Sequence, residues 1–320
     1  MIIQADHLEL PALQLYAQRR ENELKHACEP EPGYFIAESM KVIRRALEAG
    51  YEPVSFLCAG RYAAKIQQLL QSTMENRIVS DRNDSDSRFV ESRDAFNSIP
   101  IYTAEESVLE GIAGYHLTGG ALAMMRRREQ AEISSFLKEN DLHRIAVLEH
   151  VVNPTNLGAI VRSAAALGMD AVLFTPDCAD PLYRRAIRVS MGTIFQVPWT
   201  FSGRKPEDWY QNGVQLLKES GWHTVAMALR EDSCTPCEPR FQTYDKLAVI
   251  VGTEGEGLAE ETIGQCDDTV MIPMTHGVDS LNVGAAAAVA FWNFGRIRDE
   301  TQNENPERSK EGDLERRIQG

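Results

Sequence analysis

Short apolar runs without alternation recur through the second half of the chain, and they restrict its fold more than any other feature. Examples lie at 145–148, 171–174 and 247–251, and helical patterns separate most of the runs. Strands that are apolar along their whole length are typical of parallel sheets buried on both faces. The second half is therefore predicted to be an α/β unit with a parallel sheet and helices on both sides.

The first half predicts a smaller α/β unit. A helical pattern at 38–49 precedes an apolar strand at 54–59, and the polar residues 72–98 predict a mobile loop or a poorly ordered hairpin. A charged amphipathic segment at 129–141 then places the boundary between the units near residue 140. The predicted organisation is a small domain at 1–140, a larger domain at 141–298 and a polar, structureless tail at 299–320.

Charge and composition exclude several classes of protein. The chain has 33 Lys and Arg against 47 Asp and Glu, a formal charge of -14, so any contact with nucleic acid must be local. No apolar stretch approaches the roughly 20 residues of a membrane span, and no secretory signal is expected. The six cysteines do not form a disulfide framework, which predicts the cytoplasm. Cys234 and Cys237 form a C-x-x-C pair without further metal ligands, so we interpret them as a surface loop and expect no metal.

The first of three segments with specific polar residues is NPTNLGAIVRSAAALGMDAVLF at 153–174. An Asn-Pro-x-Asn turn that includes Asn156 leads into a predicted helix at 158–167, on which Arg162 lies on the side of the carboxyl ends of the strands, where ligands bind in open α/β sheets. Spacing alone leaves two alternatives open: Asn156 as a helix cap and Arg162 as a solvated surface residue.

The second segment is AVIVGTEGEGLAEETI at 248–263, a strand followed by a glycine-rich turn. Glycines let a backbone approach a ligand closely, but the spacing G-x-x-G-x-G is neither the dinucleotide fingerprint nor the phosphate loop. Glu254 and Glu256 would also repel a phosphate. The segment favours a cofactor without phosphate, and one with a positive charge fits best.

The third segment is VMIPMTHGVDSLNVGAAAAVAFWNF at 270–294. Ser280 and Asn282 stand at the entrance to an alanine-rich helix, where capping and a functional role are compatible. Small residues at 284–288 allow close approach of another backbone, either in a second copy of the chain or within the same domain. We expect a homodimer, with internal packing as the alternative.

Together and in this order, the three segments resemble the signature of the SpoU (TrmH-like) family of RNA ribose methyltransferases, in the SPOUT class. The matches are N-P-x-N-x-G-x-x-x-R at 153–162, G-x-E-G-E-G-L at 252–258, and I-P-M with D-S-L-N-V at 272–283. Earlier in the chain, YFIAESMKVIRRALEAG loosely resembles a ribosomal-protein-like substrate-binding domain. Two departures are visible, at His150 and Asn153, where many relatives have acidic residues, and in SLNVGA, which replaces SLNVSVA.

The resemblance implies a C-terminal trefoil knot, S-adenosylmethionine as cofactor, and methyl transfer to a ribose 2′-hydroxyl of tRNA or rRNA by a homodimer. It implies catalytic roles for Arg162, Asn156, Ser280 and Asn282. The residues implied to hold the cofactor are Gly252, Thr253, Glu254, Gly257, Ile272, Met274 and Leu281.

Basic clusters supply candidate RNA contacts in an otherwise acidic chain. These are Arg184, Arg185 and Arg188 beside the expected site, and Arg126 and Arg127 before the domain boundary. Charge pattern alone leaves solvated helix faces as the alternative. Two other functions remain open: a catalytically silent RNA-binding or ribosome-assembly protein, and a nicotinamide-dependent enzyme. The intact site residues argue against the first, and the absent dinucleotide fingerprint argues against the second.

Overall fold

A computed structural model describes residues 1–5, 11–17, 21–80, 98–113 and 120–296. The predicted tail at 299–320 lies outside the described residues, as does most of the predicted loop at 72–98. Within the described ranges, the strands form two sheets, and each sheet is the centre of one α/β unit.

The first unit contains a five-stranded mixed sheet. Its elements are β1 (Ile2–Gln4), α1 (Pro11–Ala17), α2 (Glu21–Lys25), β2 (Tyr34–Glu38), α3 (Met40–Glu48), β3 (Pro53–Cys58), α4 (Gly60–Ser80), β4 (Ile101–Thr103), α5 (Glu106–Ala113) and β5 (Ala121–Arg126). The strand order is β1-β4-β3-β5-β2, in which β5 is antiparallel to both of its neighbours. The start of the predicted loop at residue 72 is wrong, because Leu70 and Thr73 continue the buried face of α4.

The second unit contains a six-stranded sheet. Its elements are α6 (Ile133–Glu139), β6 (Arg144–Leu148), α7 (Pro154–Ala166), β7 (Ala171–Phe174), α8 (Arg184–Val189), β8 (Trp199–Phe201), α9 (Pro206–Glu219), β9 (His223–Met227), β10 (Leu247–Val251), α10 (Glu260–Gln265), β11 (Asp268–Val270) and α11 (Val283–Phe294). The strand order is β11-β9-β10-β6-β7-β8, and every pairing is parallel. All residues of β6, β7 and β10 are buried. The predicted parallel α/β sheet is confirmed.

Helices cover both faces of this sheet. On one face Leu148 packs with side chains of α7 and α11, and on the other face Val147 packs with α9 and α6. Helix α6 therefore contributes to the core of the second unit although it precedes residue 140, and the division at 140 stays a prediction. None of the helices in the described part of the chain is long and apolar enough to cross a membrane.

The two units share a buried interface. The Phe195 ring lies 5.7 Å from the Phe35 ring and 5.2 Å from the Tyr51 ring, measured between centroids. Asp180 of the second unit accepts two hydrogen bonds from Arg127, at 3.1 and 3.0 Å, and its carboxylate lies 3.0 Å from the Lys25 ammonium. Aromatic packing and buried ion pairs together fix the first unit against the second.

Candidate active site at the carboxyl ends of the strands

Asn153, and not Asn156, caps the amino end of α7. The Asn153 side chain accepts a hydrogen bond from the Thr155 backbone N–H at 2.9 Å, and Pro154 follows it in the first turn. Asn156 is therefore not the cap. It lies inside the helix with 8% of its surface exposed, and its side chain is free to make a tertiary contact. This removes one of the two alternatives that the spacing left open.

A tight glycine turn follows β10. Thr253 and Gly257 exchange two backbone hydrogen bonds of 3.2 Å, and Gly255 and Gly257 have φ angles of 88° and 76°. A Cβ atom on Gly252 would lie 2.3 Å from the Gly257 carbonyl oxygen, so no larger residue fits there. Only glycine meets these demands at low cost.

Glu149 anchors the segment that follows this turn. The sequence analysis did not identify this residue. Its carboxylate, 1% exposed, accepts hydrogen bonds from the Ala259 backbone N–H at 2.7 Å, from the Trp209 indole at 2.6 Å and from the Thr262 hydroxyl at 2.6 Å. A buried carboxylate with three donors is a strong, geometrically defined anchor. The signal in the sequence was an acidic residue directly after a fully apolar strand.

Asn282 joins the three segments. Its side-chain oxygen caps α11 by accepting a hydrogen bond from the Gly284 backbone N–H at 3.0 Å. Its amide donates to the Asn156 side-chain oxygen at 3.3 Å and to a carboxylate oxygen of Glu254. One side chain thus connects α7, the glycine turn and the start of α11.

The side chains of the two remaining predicted catalytic residues, Arg162 and Ser280, form no hydrogen bond or ion pair within the described ranges. Arg162 lies on α7 six positions after Asn156, and its guanidinium is exposed and has no hydrogen bond or ion pair there. The same is true of the Ser280 hydroxyl in the exposed loop before α11. Both groups are available to a ligand.

Three of the residues predicted to hold the cofactor are apolar. Ile272 and Met274 are half-buried in the loop after β11, and Leu281 is 39% exposed next to Asn282. The exposed Glu254 carboxylate accepts a hydrogen bond from Asn282 and so adds negative charge near Leu281. The predicted cofactor-binding residues therefore combine apolar side chains, close glycine backbone and one acidic group.

A histidine and an aspartate form a further polar pair at the ends of β6 and β7. His150 has a φ of 53°, and its Nδ1 lies 3.0 Å from Asp177 Oδ2. Asp177 also accepts hydrogen bonds from the Tyr210 hydroxyl, at 2.9 Å, and from Thr175. Burial acts to raise the pKa of Asp177, but these hydrogen bonds and the His150 charge outweigh it and lower that pKa below its usual value.

The structure divides the predicted RNA-binding arginines into two groups. Arg127 and Arg184 lie in the interface between the units, where Arg127 binds Asp180 and Arg184 lies 3.0 Å from Glu38. Arg126, Arg185 and Arg188 are exposed. A role in RNA binding stays a prediction for all five, and the second group has the accessible charge.

The C-x-x-C pair lies beside the β9–β11 edge of the sheet. Cys237 is exposed, and Cys234 is half-buried with a hydrogen bond from Arg240 at 3.3 Å. Burial raises the pKa of Cys234, whereas a redox-active thiol needs a lowered pKa. Among the described residues, no cluster of three His, Cys, Asp or Glu side chains has the arrangement of a metal site.

Comparisons with known proteins now bear on this site. The sequence profile of the SpoU rRNA Methylase family matches residues 143–292, which contain the first two segments and the third as far as residue 292. An uncharacterized tRNA/rRNA methyltransferase of Mycobacterium bovis is 39% identical over 262 residues, which cover 82% of this chain and 80% of that protein. The chain belongs to the SpoU rRNA methylase family.

Solved structures agree with this SpoU assignment at the level of the fold. An AdoMet-bound rRNA methyltransferase from Sinorhizobium meliloti has a TM-score of 0.69 at 18% identity, covering 92% of this chain and 97% of that one. The SpoU methyltransferase AviRb from Streptomyces viridochromogenes, in complex with AdoMet, has a TM-score of 0.62 at 19% identity, covering 88% and 94%. The resemblance drawn from the three segments is confirmed, and the SpoU fold extends over both units.

Proposed function

We propose that this SpoU protein transfers a methyl group from S-adenosylmethionine to a ribose 2′-hydroxyl of tRNA or rRNA. The observation that carries the proposal is the hydrogen-bond network of Asn282, which brings the three family segments to one place. Such a substrate also implies action in the cytoplasm. The 23S rRNA (guanosine-2′-O-)-methyltransferase RlmB of Acinetobacter baylyi, 29% identical over 203 residues, covering 62% of this chain and 79% of that protein, supports the reaction class.

The residues around the glycine turn fit S-adenosylmethionine. The positions that would hold it are the predicted ones: Gly252, Thr253, Glu254, Gly257, Ile272, Met274 and Leu281. The cofactor supplies an electrophilic methyl group on a positively charged sulfur. Glu254 offers a negative charge to such a cation, and the same carboxylate would repel the diphosphate of a nicotinamide cofactor. The turn therefore favours the methyl donor over NAD.

Arg162 and its neighbours supply the groups that act on the RNA. The 2′-hydroxyl becomes negative as it loses its proton, and the guanidinium of Arg162 stabilises that charge and the adjacent phosphate. Asn156 and Asn282 hold the loops in place, and Ser280 positions the ribose. Fixed, aligned reactants can lower a barrier by about 7–11 kcal/mol.

Three further features belong to the same proposal. The segment leading into α11 forms the trefoil knot of the SPOUT class, and the first unit is a ribosomal-protein-like domain that contacts the RNA.

The protein is a homodimer, because α11 has an exposed apolar face. Ala285, Val289 and Trp292 recur at helical spacing on that face, and Trp292 is 67% exposed. The small residues on the other face are used internally, since a Cβ on Gly284 would lie 3.3 Å from Ala159 of α7.

Replacement of Arg162 distinguishes the proposed enzyme activity from the alternative of a catalytically silent RNA-binding protein. Arg162→Ala removes a charge that acts only on the reacting RNA, so single-turnover methyl transfer should fall by about a hundredfold or more. Calorimetry should show nearly unchanged affinity for S-adenosylhomocysteine. Native-like transfer by Arg162→Ala would contradict the assigned role, and a native protein that binds the cofactor product but methylates no RNA would support the silent alternative.

A further inference from the structure

The glycine turn after β10 has a sequence that permits its shape but does not enforce it. Three of the seven residues at 252–258 are glycines, and two of them, Gly255 and Gly257, have φ angles of 88° and 76°. Glycine loses more conformational entropy on folding than any other residue, so such a turn needs contacts from outside itself to keep one shape. Residues 254–257 are exposed, and packing therefore contributes little to holding them.

Glu149 holds both ends of this turn. Its backbone N–H donates a hydrogen bond to the Val251 carbonyl at 2.9 Å, just before the turn begins. Its side-chain Oε1 accepts a hydrogen bond from the Ala259 backbone N–H at 2.7 Å, just after the turn ends. One residue at the end of β6 thus brackets residues 252–258 and closes the turn at its base.

Two further donors fix the orientation of the Glu149 carboxylate. Its Oε2 accepts hydrogen bonds from the Trp209 indole N–H and from the Thr262 hydroxyl, both at 2.6 Å. Trp209 and Thr262 are buried, and Leu258 at the end of the turn belongs to the same apolar cluster as Trp209. A buried polar network whose members are all satisfied is rigid, so Oε1 stays directed at the Ala259 N–H.

The tip of the turn is held independently of its base. The Asn282 amide donates a hydrogen bond to the Glu254 carboxylate, within the exposed part of the turn. With the tip fixed by Asn282 and the base fixed by Glu149, the turn has one position relative to β10. Without the base contact, the tip would be joined to β10 only through flexible glycines.

We propose that Glu149 is a positioning residue for the cofactor, because it holds the glycine turn in the shape that binds S-adenosylmethionine. It acts through the Ala259 N–H and the Val251 carbonyl and not by contact with the cofactor. This inference rests on the proposed function, in which the turn is the cofactor-binding segment. A purely structural role would make Glu149 matter for the stability of α10 but not for cofactor affinity.

Glu149→Gln tests the base contact with a side chain of the same shape. An amide has one acceptor oxygen and one NH₂ group where the carboxylate has two acceptor oxygens. Ala259 and Trp209 both present N–H donors, so the NH₂ group faces one of them in either orientation. Calorimetry with S-adenosylhomocysteine should show affinity that is about tenfold weaker or more, the scale expected when a buried donor loses its charged acceptor.

Trp209→Phe removes the competing indole donor and provides a matched rescue. In Glu149→Gln/Trp209→Phe the amide oxygen accepts from Ala259 while its NH₂ group donates to the Thr262 hydroxyl, which restores the base contact. Affinity for S-adenosylhomocysteine should return to within about twofold of the Trp209→Phe single variant, the scatter expected of independent changes. A merely destabilised protein would lose further affinity in the double variant.

Tyr16→Phe is the control for a loss of stability far from the turn. In the first unit its buried hydroxyl donates to the Ser55 carbonyl at 2.9 Å and accepts from the Met124 backbone N–H at 3.2 Å. Tyr16→Phe should lower the melting temperature and leave the affinity for S-adenosylhomocysteine near native. Hydrogen exchange of the amides at 252–258, measured without ligand, should accelerate in Glu149→Gln and not in Tyr16→Phe.

The outcomes distinguish this inference from the proposed function. If the native protein binds S-adenosylhomocysteine and Glu149→Gln binds it equally well, the positioning role is overturned and the proposed function stands. Weak binding that the double variant does not rescue, or an equal loss of affinity in Tyr16→Phe, would assign Glu149 to general stability and overturn the positioning role as well. A native protein that binds no S-adenosylhomocysteine would overturn both.

Discussion

Asp177, which follows β7, contacts His150 and should make the free energy of unfolding depend on pH. It fixes the ring of His150, and it is itself held by Thr175 and Tyr210. The left-handed backbone of His150 costs conformational energy, and backbone strain of this kind clusters at functional sites. His150 directly follows Glu149 in the chain, so the pair lies beside the residue that anchors the start of α10.

Asp177→Asn should reduce the free energy of unfolding by about 1–3 kcal/mol at pH 7, because hydrogen bonds to a charged acceptor are lost. The pKa of Asp177 lies below its unfolded-state value of about 3.9, so its ionised form stabilises the fold above that pH. This contribution disappears as the pH falls through the folded-state pKa. Urea unfolding of both proteins should show a difference at pH 5 that becomes smaller below about pH 4. A difference that grows as the pH falls from 5 to 3 would contradict this reading.

At the scale of single residues, the family resemblance pointed to Arg162, Asn156 and Asn282 but not to the contact between the two asparagines. Asn282 and Asn156 are 126 positions apart, and only the folded sheet brings them together. Glu149 was not predicted, because a single acidic residue after a strand has no periodic pattern. Residues with a fixed local spacing could be predicted, and residues defined by a tertiary contact could not.

Among the elements, α11 is anchored at its carboxyl end by a buried arginine. The Arg144 guanidinium, at the start of β6, donates to the Phe294 carbonyl at 2.9 Å, to the Asp245 carbonyl at 2.9 Å and to the Tyr244 carbonyl at 3.0 Å. Burial lowers its pKa to about 10, which still leaves it charged at neutral pH. One side chain therefore satisfies the end of α11 and the loop before β10.

Arg144→Met should lower the free energy of unfolding by about 3 kcal/mol or more, because each buried carbonyl left without a donor costs about 1–3 kcal/mol. Arg162→Ala, an exposed arginine replaced by a better helix former, is the control and should change stability by less than about 0.5 kcal/mol. Thermal and urea unfolding followed by circular dichroism provide both values. Equal stability of the two variants would show that Arg144 has no anchoring role.

The exposed face of α11 makes a prediction about assembly. Trp292→Asp places a charge in the apolar face and should convert the homodimer to a monomer in light scattering at micromolar concentration. Leu229→Asp is the matched control, since Leu229 is 66% exposed but lies in the loop after β9. A native protein that is already monomeric would contradict the dimer, and so would a dimer that survives Trp292→Asp.

Elements differ in how far the sequence predicts them. The strands β6, β7 and β10 follow from their unbroken apolar runs, because both faces of the sheet are covered. The strands β1 and β8 were not predicted, since each has three residues and owes its conformation to pairing with β4 and β7. Local pattern is informative where burial is complete and weak where a short edge strand depends on a distant partner.

At the scale of the whole molecule, the interface between the units pairs two of the predicted RNA contacts, Arg127 and Arg184, with acidic residues. Arg127 and Asp180 are 53 positions apart, and Arg184 and Glu38 are 146 apart, so a basic cluster in the sequence does not reveal its acidic partner. The same interface brings Arg45 of α3 to the Met191 carbonyl after α8. Net charge predicted that RNA contacts must be local, and the tertiary structure shows which of the candidate arginines are exposed.

The central claim is the transfer of a methyl group to a ribose oxygen, and isotope mapping tests it most directly. The native protein is incubated with S-adenosylmethionine that carries a deuterated methyl group and with unmodified tRNA and rRNA, and the RNA is digested to nucleosides for mass spectrometry. The account predicts the label in a 2′-O-methylnucleoside, with the labelled methyl on the ribose fragment, and about a hundredfold less of it with Arg162→Ala. Label on the base fragment, or no label in any RNA, would contradict it.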